Sequence, residues 1–369
     1  MTKKQQNGNS PTALPPCNSN NIHGRAYGPP TKHDERQVYL SSLTVISAVI
    51  WVPSLFVYVY KKWKKTPVED KRKRTLYRNL LIAMITIIVI GPHRNPRFGN
   101  WLNVRRWKLW ESWLRYVTFE VISEHAENDG KGTFDRKKDQ AILAIVPHGI
   151  VPFSLCFAAL PQAAIEKFGK FRPVIASATR LFPLGRTLME WMSGVDATKS
   201  SVNQALSQGE RLGLCPGGIS EMFEGYPKAG RHPDDECVIL NSRKGFIKMA
   251  LRHNVPIIPV FTFGASKMFK RLQSPIFEKI SNLLRISFCL FYGQYGLPIP
   301  LQKKLLYVIG RTIHPPASFT ASGAPPAENS VEFQQVVDYM HEQFCAEISN
   351  LFDKYKDQYG WGHKTLRIV

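Results

Sequence analysis

The order of apolar and polar positions divides the chain into four stretches. Residues 1–38 are polar, carry prolines and hold no sustained apolar run, so they read as a disordered tail rather than a cleavable leader. From Tyr39 to Tyr60 runs YLSSLTVISAVIWVPSLFVYVY, 22 residues without a charge. A helix rising about 1.5 Å per residue would cover roughly 30 Å here, the depth of a bilayer's hydrocarbon core. Pro53 allows a kink within such a span, and a buried core helix is the competing reading. Leu80–Ile90 (LLIAMITIIVI) is a second, shorter apolar run. Together they make residues 39–92 a membrane anchor, with the second segment spanning, re-entering or lying at the interface.

The connector between the two runs, KKWKKTPVEDKRKRTLYR, is strongly basic. The positive-inside rule puts it in the cytoplasm, whereas a full hairpin with a cytosolic catalytic domain puts it on the opposite side. One span plus a re-entrant or interfacial segment satisfies both. Residues 93–138 interleave Trp101, Trp107, Trp110 and Trp113 with Arg105, Arg106, Lys108 and Arg115. That pattern suits an amphipathic segment on an anionic membrane surface, with aromatic stacking on single-stranded nucleic acid as its rival.

From Asp139 to the C-terminus the period changes, and short apolar runs bounded by turn residues read as strands. They are Ala141–Val146, Pro173–Ala176, Gly213–Cys215, Cys237–Leu240, Pro256–Phe263 and Leu305–Ile309. Arg243–His253 reads as a helix after Asn241-Ser242 as caps, with Phe246, Met249 and Ala250 on one face and Lys244, Lys248 and Arg252 on another. Phe333, Val336, Val337, Met340, Phe344, Ile348, Leu351, Phe352 and Tyr355 trace a long amphipathic, core-facing helix. The expected fold is α/β, a mixed sheet flanked by helices, with ligands at strand ends.

Composition narrows the partners. A formal charge of +21 calls for an anionic surface or ligand, which nucleic acid, lipid headgroups and a phosphate-rich cosubstrate all supply. The six cysteines form no C-x-x-C pair, so neither a disulfide framework nor a zinc site is expected. The chain also has no N-x-[ST] sequon, in keeping with a cytosol-facing domain.

Two blocks carry chemistry. In AILAIVPHGIVPFS, Pro147 ends the strand and His148-Gly149 follow at the sheet's mouth. An imidazole there can accept a proton near neutral pH and act as general base toward a hydroxyl; a capping or core histidine is the plain alternative. In CPGGISEMFEG, Pro216-Gly217-Gly218 form a tight turn whose backbone N–H groups can face an oxyanion. Glu221 follows as a candidate partner for the second nitrogen of the His148 ring, fixing its tautomer; the bland alternative is a solvated turn with a carboxylate at a helix start. Signatures of serine hydrolases, P-loop enzymes, dinucleotide enzymes and zincins are missing.

Taken together these stretches resemble the type-2 diacylglycerol acyltransferase family, which includes monoacylglycerol and wax-ester relatives. The likeness runs from about Trp101 to the C-terminus through RRWKLWESWLRY, Pro147-His148-Gly149, PGGISE, RKGFIKMALRHNVPIIPVFTFG and LFDKYKDQYG. It implies that residues 139–369 form an acyltransferase domain, with acyl-CoA as donor and diacylglycerol or a related neutral lipid as acceptor. It also implies residence at the endoplasmic reticulum membrane, catalytic domain toward the cytosol, or at lipid droplets. It maps the active histidine onto His148, the glycine-glutamate block onto Gly217, Gly218 and Glu221, and the basic block onto Arg243, Lys244 and Gly245. Direct transfer is then expected, with His148 as base and Gly149 or Gly217-Gly218 as oxyanion donors. Lys244, Lys248 and Arg252, or nearby bases, could hold the coenzyme's phosphates through charge-assisted contacts, although for any one of them a solvated basic face is the more common case. No metal or redox cofactor and no nucleic acid is implied, and a homo-oligomer is allowed.

Two departures bear on the acceptor. Val146 stands where many members carry histidine, and Tyr116-Val117-Thr118 replaces a tyrosine-phenylalanine-proline block. The histidine-four-residues-aspartate dyad of glycerophosphate acyltransferases is missing, since Phe153 occupies the aspartate's place. Alternatives are a monoacylglycerol or lysophospholipid acyltransferase and, from another class, a basic membrane scaffold without catalysis.

Overall fold

The computed structural model describes residues 27–89, 102–123, 134–177, 179, 187, 189–223, 232, 234–272, 290–317 and 327–369. At its centre lies strand β2 (Ile142–Val146), whose five residues are all buried. A strand covered on both faces has no solvent side to serve, so its sequence is continuously apolar instead of alternating. Its side chains still part by the period of two: Leu143 and Ile145 enter one core, Ile142, Ala144 and Val146 the other.

Around β2 the strands β1 (Glu120–Ser123), β3 (Arg172–Ile175), β4 (Val195–Asp196), β5 (Leu212–Leu214), β7 (Ile257–Phe263) and β10 (Leu306–Ile309) complete a seven-stranded sheet in the order β1-β10-β7-β2-β5-β3-β4. Only the β10–β7 pairing is antiparallel. Strand β6 (Asp235–Val238) lies outside this sheet and pairs in parallel with β11 (Thr365–Ile368); β8 (Lys270–Arg271) and β9 (Phe291–Tyr292) form a small antiparallel ribbon. The expected mixed α/β sheet is therefore the fold, and all six strands read from apolar runs are present within two residues of their expected ends.

Helices cover both faces. On one lie α1 (Lys32–Val45), α4 (Lys108–Tyr116), α5 (Phe153–Ala159) and α6 (Gln162–Phe168), which contribute Val38, Trp113, Phe157 and Phe168 to the first core. On the other lie α7 (Lys199–Ser207), α8 (Gly245–Arg252) and α9 (Val331–Tyr359), contributing Val202, Ile247, Val337 and Phe344 to the second. Ser330 caps the 29 residues of α9, its hydroxyl accepting the Phe333 N–H, and the helix buries Phe333, Val337, Met340, Phe344, Ile348, Leu351 and Phe352, a three-four spacing that keeps one stripe on the sheet. Helix α8 begins at Gly245 with Lys244 as an N-cap lacking a side-chain bond, so Asn241-Ser242 are not its caps.

The N-terminal apolar stretch departs from expectation. Instead of one helix over 39–60, the chain makes α1 and then α2 (Ala48–Lys65), bent from each other by 54°. Among the described residues no single helix is long and apolar enough to cross a membrane; the bent pair together is. The bend follows from what α1 packs against. Ser41 accepts the indole N–H of Trp113 at 3.0 Å, Asp34 takes Arg115 at 3.3 Å, and Val38 and Ser42 are fully buried, so α1 belongs to the globular body. Helix α3 (Lys71–Val89) packs back along α2, and the two leave Ile50, Leu55, Val57, Leu80, Ile82, Ile85 and Ile87 exposed.

The tryptophan-rich segment is also used differently. Trp110 and Trp113 are core residues, Trp113 lying 5.5 Å from both the Phe153 and Phe157 rings, and Arg105 is buried. Of its described indoles, only that of Trp107 is exposed. The charges that looked like a membrane-facing rim instead include one buried guanidinium and one ion-paired to α1. Trp101 lies outside the described residues.

Candidate functional site

Because β2, β5 and β7 run parallel, the segments leaving their C-terminal ends gather on one edge: Pro147–Gly149 after β2, Cys215–Gly218 after β5, and Gly264–Lys267 after β7. This is where open α/β sheets place ligands. His148 sits there, half-buried. Its Nδ1 is 2.7 Å from the carbonyl oxygen of Gly149. A carbonyl only accepts, so Nδ1 carries the hydrogen and Nε2 presents its lone pair. Desolvation by the surrounding protein lowers the ring's pKa from its ordinary value, opposed only in part by the Gly149 carbonyl. The neutral ring, the form able to accept a proton, is thereby favoured.

Gly149 holds this geometry by being glycine. Its φ is +74°, and an added Cβ would lie 2.7 Å from the Ala265 carbonyl oxygen, so the turn from the β2 end can press against the turn after β7. Ser154 fixes the exit of the loop by donating to the Pro147 carbonyl at 3.0 Å, and the Tyr307 hydroxyl donates to the Ser154 carbonyl at 2.8 Å. No sequence pattern marks Ser154 or Tyr307 for this role; it arises because the sheet brings Tyr307 of β10 within hydrogen-bond reach of Ser154, 153 positions away.

Glu221 is brought to His148 from 73 residues away, but to a different atom from the one expected. Its Oε2 accepts the backbone N–H of His148 at 2.6 Å, and Oε1 accepts the N–H of Ile239 at 3.0 Å. The carboxylate thus ties the histidine's main chain to the segment after β6, while the ring's own partner is the Gly149 carbonyl. Gly217 makes room: a Cβ there would lie 2.1 Å from the Glu221 Cδ, so the side chain folds back only over a glycine.

The oxyanion donors expected in these turns separate into used and free. The Gly218 N–H donates to the Cys215 carbonyl at 3.1 Å and closes the turn. The N–H groups of Gly149 and Gly217 meet no acceptor among the described residues. Two thiols flank the site. Burial and then the Glu221 charge push Cys215 well above the usual thiol range, and burial pushes Cys156 up to about 12. Both stay protonated at neutral pH and are poor nucleophiles.

The basic block divides as well. Arg243 reaches the Ser220 hydroxyl at 2.7 Å and has a buried Nε with no acceptor, which puts a guanidinium beside the glycine-glutamate turn. Lys244 instead pairs with Asp338 of α9 at 2.7 Å. Arg252 pairs with Glu328 and contacts the Asn203 side chain at 3.3 Å. Lys244 and Arg252 are therefore satisfied by the chain's own acids, unlike a row kept for coenzyme phosphates. Phe153, in the place of the aspartate of an H-x4-D dyad, stacks on Phe157 and Phe269 and offers the site an apolar wall with no carboxylate.

The chain is 25% identical over 293 residues to human diacylglycerol O-acyltransferase 2, covering 73% of this chain and 68% of that one. It is 26% identical to bovine 2-acylglycerol O-acyltransferase 1 (73% and 78% covered) and 25% identical to mouse acyl-CoA wax alcohol acyltransferase 1 (75% and 82%). Among solved structures, the 1-acyl-sn-glycerophosphate acyltransferase PlsC of Thermotoga maritima overlays with a TM-score of 0.38 at 12% identity, covering 86% of this chain and 97% of that one, too distant to carry an argument. The diacylglycerol acyltransferase profile matches residues 75–369, which include every catalytic and oxyanion candidate above, and the chain belongs to that family.

Proposed function

We propose that this chain transfers a fatty acyl group from acyl-CoA to the free hydroxyl of diacylglycerol, with His148 as general base. The observation that carries the reading is the 2.7 Å contact from Nδ1 to the Gly149 carbonyl, which leaves Nε2 as an available base at the mouth of the sheet. Nε2 takes the acceptor's hydroxyl proton as the oxygen attacks the thioester carbonyl. Negative charge forms on the carbonyl oxygen, where the Gly149 and Gly217 N–H groups are the available donors. When the tetrahedral centre collapses, the carbon–sulfur bond breaks and the thiolate recovers the proton from the imidazolium. Free coenzyme A leaves, the ester remains, and His148 is neutral again. The protonated thiols of Cys156 and Cys215 favour this direct route over a cysteine-bound acyl intermediate.

Relatives named for diacylglycerol, 2-acylglycerol and wax alcohol match with nearly equal identity, so the acceptor rests on the motif resemblance. The exposed apolar side chains of the α2/α3 pair support membrane residence, with the catalytic edge facing the cytosol at the endoplasmic reticulum or at lipid droplets. A purified His148→Ala variant assayed with labelled acyl-CoA and diacylglycerol tests the base; a loss of about 10²–10⁴-fold is expected. Turnover close to that of the native enzyme rejects the assignment. Comparing diacylglycerol, monoacylglycerol, long-chain alcohol and lysophospholipid as acceptors tests the substrate.

A further inference from the structure

The first face of the fold holds a cavity of about 610 Å³ that includes none of the residues assigned above to catalysis. Arg105 lines it, is 96% buried (4% exposed) and donates through Nη1 to the Ala159 carbonyl at 2.7 Å. Its Nε has no acceptor, and no carboxylate of the described residues lies within ion-pair reach of it. Burial accordingly lowers its pKa, with no neighbouring anion opposing the effect. A buried guanidinium without a counter-ion is destabilising, and an incoming anion can remove that penalty. Arg106, exposed on the same wall, adds a second cation, and Trp107 and Trp110 add indole surface. Arg115 on this wall is occupied by Asp34 and Glu111, whereas the buried Arg105 has no acidic partner among the described residues.

We propose that this cavity binds a phosphate ester, with Arg105 holding the phosphate and the Trp107 and Trp110 indoles packing against the organic part. A guanidinium fork matches phosphate geometry with paired, charge-assisted bonds. The volume falls in the range of small-molecule sites, about 300–1,000 Å³, and far exceeds that of an inorganic ion, so the phosphate comes attached to a larger body. Two sources present that chemistry: the nucleotide end of coenzyme A and the headgroup of an anionic phospholipid.

The test is binding rather than turnover, so it stands apart from the proposed reaction. Full-length protein is titrated with coenzyme A, and separately with phosphatidylcholine vesicles with and without phosphatidic acid, by equilibrium dialysis and tryptophan fluorescence. Arg105→Gln removes the charge, and Ala163→Trp fills the cavity from a half-buried wall position without changing charge. Loss of one charge-assisted contact predicts affinity for one of the two probes falling by about tenfold or more in both variants. A fall for coenzyme A alone assigns the site to the cosubstrate, and a fall for acidic vesicles alone assigns it to lipid. His148→Ala, which slows transfer by about 10²–10⁴-fold if the proposed function holds, leaves this binding intact. If Arg105→Gln does not fold, Arg105→Lys takes its place beside Ala163→Trp, and weaker binding is again expected. Binding of both probes at native affinity in the folded charge variant, or in Ala163→Trp, overturns the proposal.

Discussion

Replacing Glu221 with glutamine separates two roles that a carboxylate beside a catalytic histidine can have. In the structure its oxygens accept two backbone N–H groups, from His148 at 2.6 Å and Ile239 at 3.0 Å. Glutamine retains one acceptor oxygen but turns an amide donor toward the other N–H. One charge-assisted bond is lost, worth about 1.5–3 kcal/mol, and a buried donor is left unsatisfied. The loop holding His148 then loosens, and a displacement near 1 Å at a reacting group costs on the order of 10²-fold in rate. The pKa of the base should barely move, because the ring's hydrogen-bond partner is the Gly149 carbonyl and burial is what lowers its pKa. The assay is kcat against pH for Glu221→Gln, with thermal unfolding in parallel. The expected result is a large fall in plateau kcat, a lower Tm, and an acidic limb at the native position. An acidic limb displaced downward by about one unit or more would mean the carboxylate stabilises the imidazolium directly, and the positioning role would be wrong.

Gly217→Ala places a Cβ 2.1 Å from the Glu221 Cδ and should reproduce the Glu221→Gln defect. Gly218→Ala meets open space but carries a φ of +55°, so it should cost only about 1–2 kcal/mol of backbone strain, read as a lower Tm with kcat largely kept. Because the His148 pKa is depressed, the enzyme's acidic limb should fall below the ordinary histidine range near 6.5. The same shift has a stability consequence. The unfolded chain binds the proton more tightly, so stability is present above about pH 6.5 and declines as pH falls toward the folded pKa. Denaturant titrations across that window should show the decline in the native protein and a smaller one in His148→Gln. Lys244→Ala breaks a pair with Asp338, not a coenzyme contact, so the KM for acyl-CoA should stay close to the native value; a rise of about tenfold would return Lys244 to the binding site.

Several features were legible along the chain because they depend on local chemistry. Buried strands need unbroken apolar runs, and ILAIV supplies one; α9 needs a three-four apolar stripe, and Phe333 to Phe352 supply it. The strands that went unread, β1, β4, β8, β9 and β11, are two to four residues long and half-exposed or mixed in polarity. TLRI in β11 becomes a strand because β6 offers it an edge, not because of its own pattern. The tryptophan-rich segment misled for a related reason. Alternating indoles and guanidiniums look alike in sequence whether they meet lipid or a neighbouring helix, and here α1 covers Trp113.

The α/β fold, the placing of His148 and the glycine turn at strand ends, and the order of the family's motifs could all be read along the chain, since apolar periodicity and turn residues act over a few neighbours. Which atoms meet was settled by how the elements pack. Packing aimed Glu221 at a backbone amide rather than a ring, spent the Gly218 N–H inside its turn, paired Lys244 with Asp338, bent the Tyr39–Tyr60 stretch in two, and buried Arg105 with no anion beside it among the described residues. Those choices, the local Gly218 turn excepted, depend on contacts between residues 54 to 94 positions apart, and their energies reside in distances and angles that chain order does not contain.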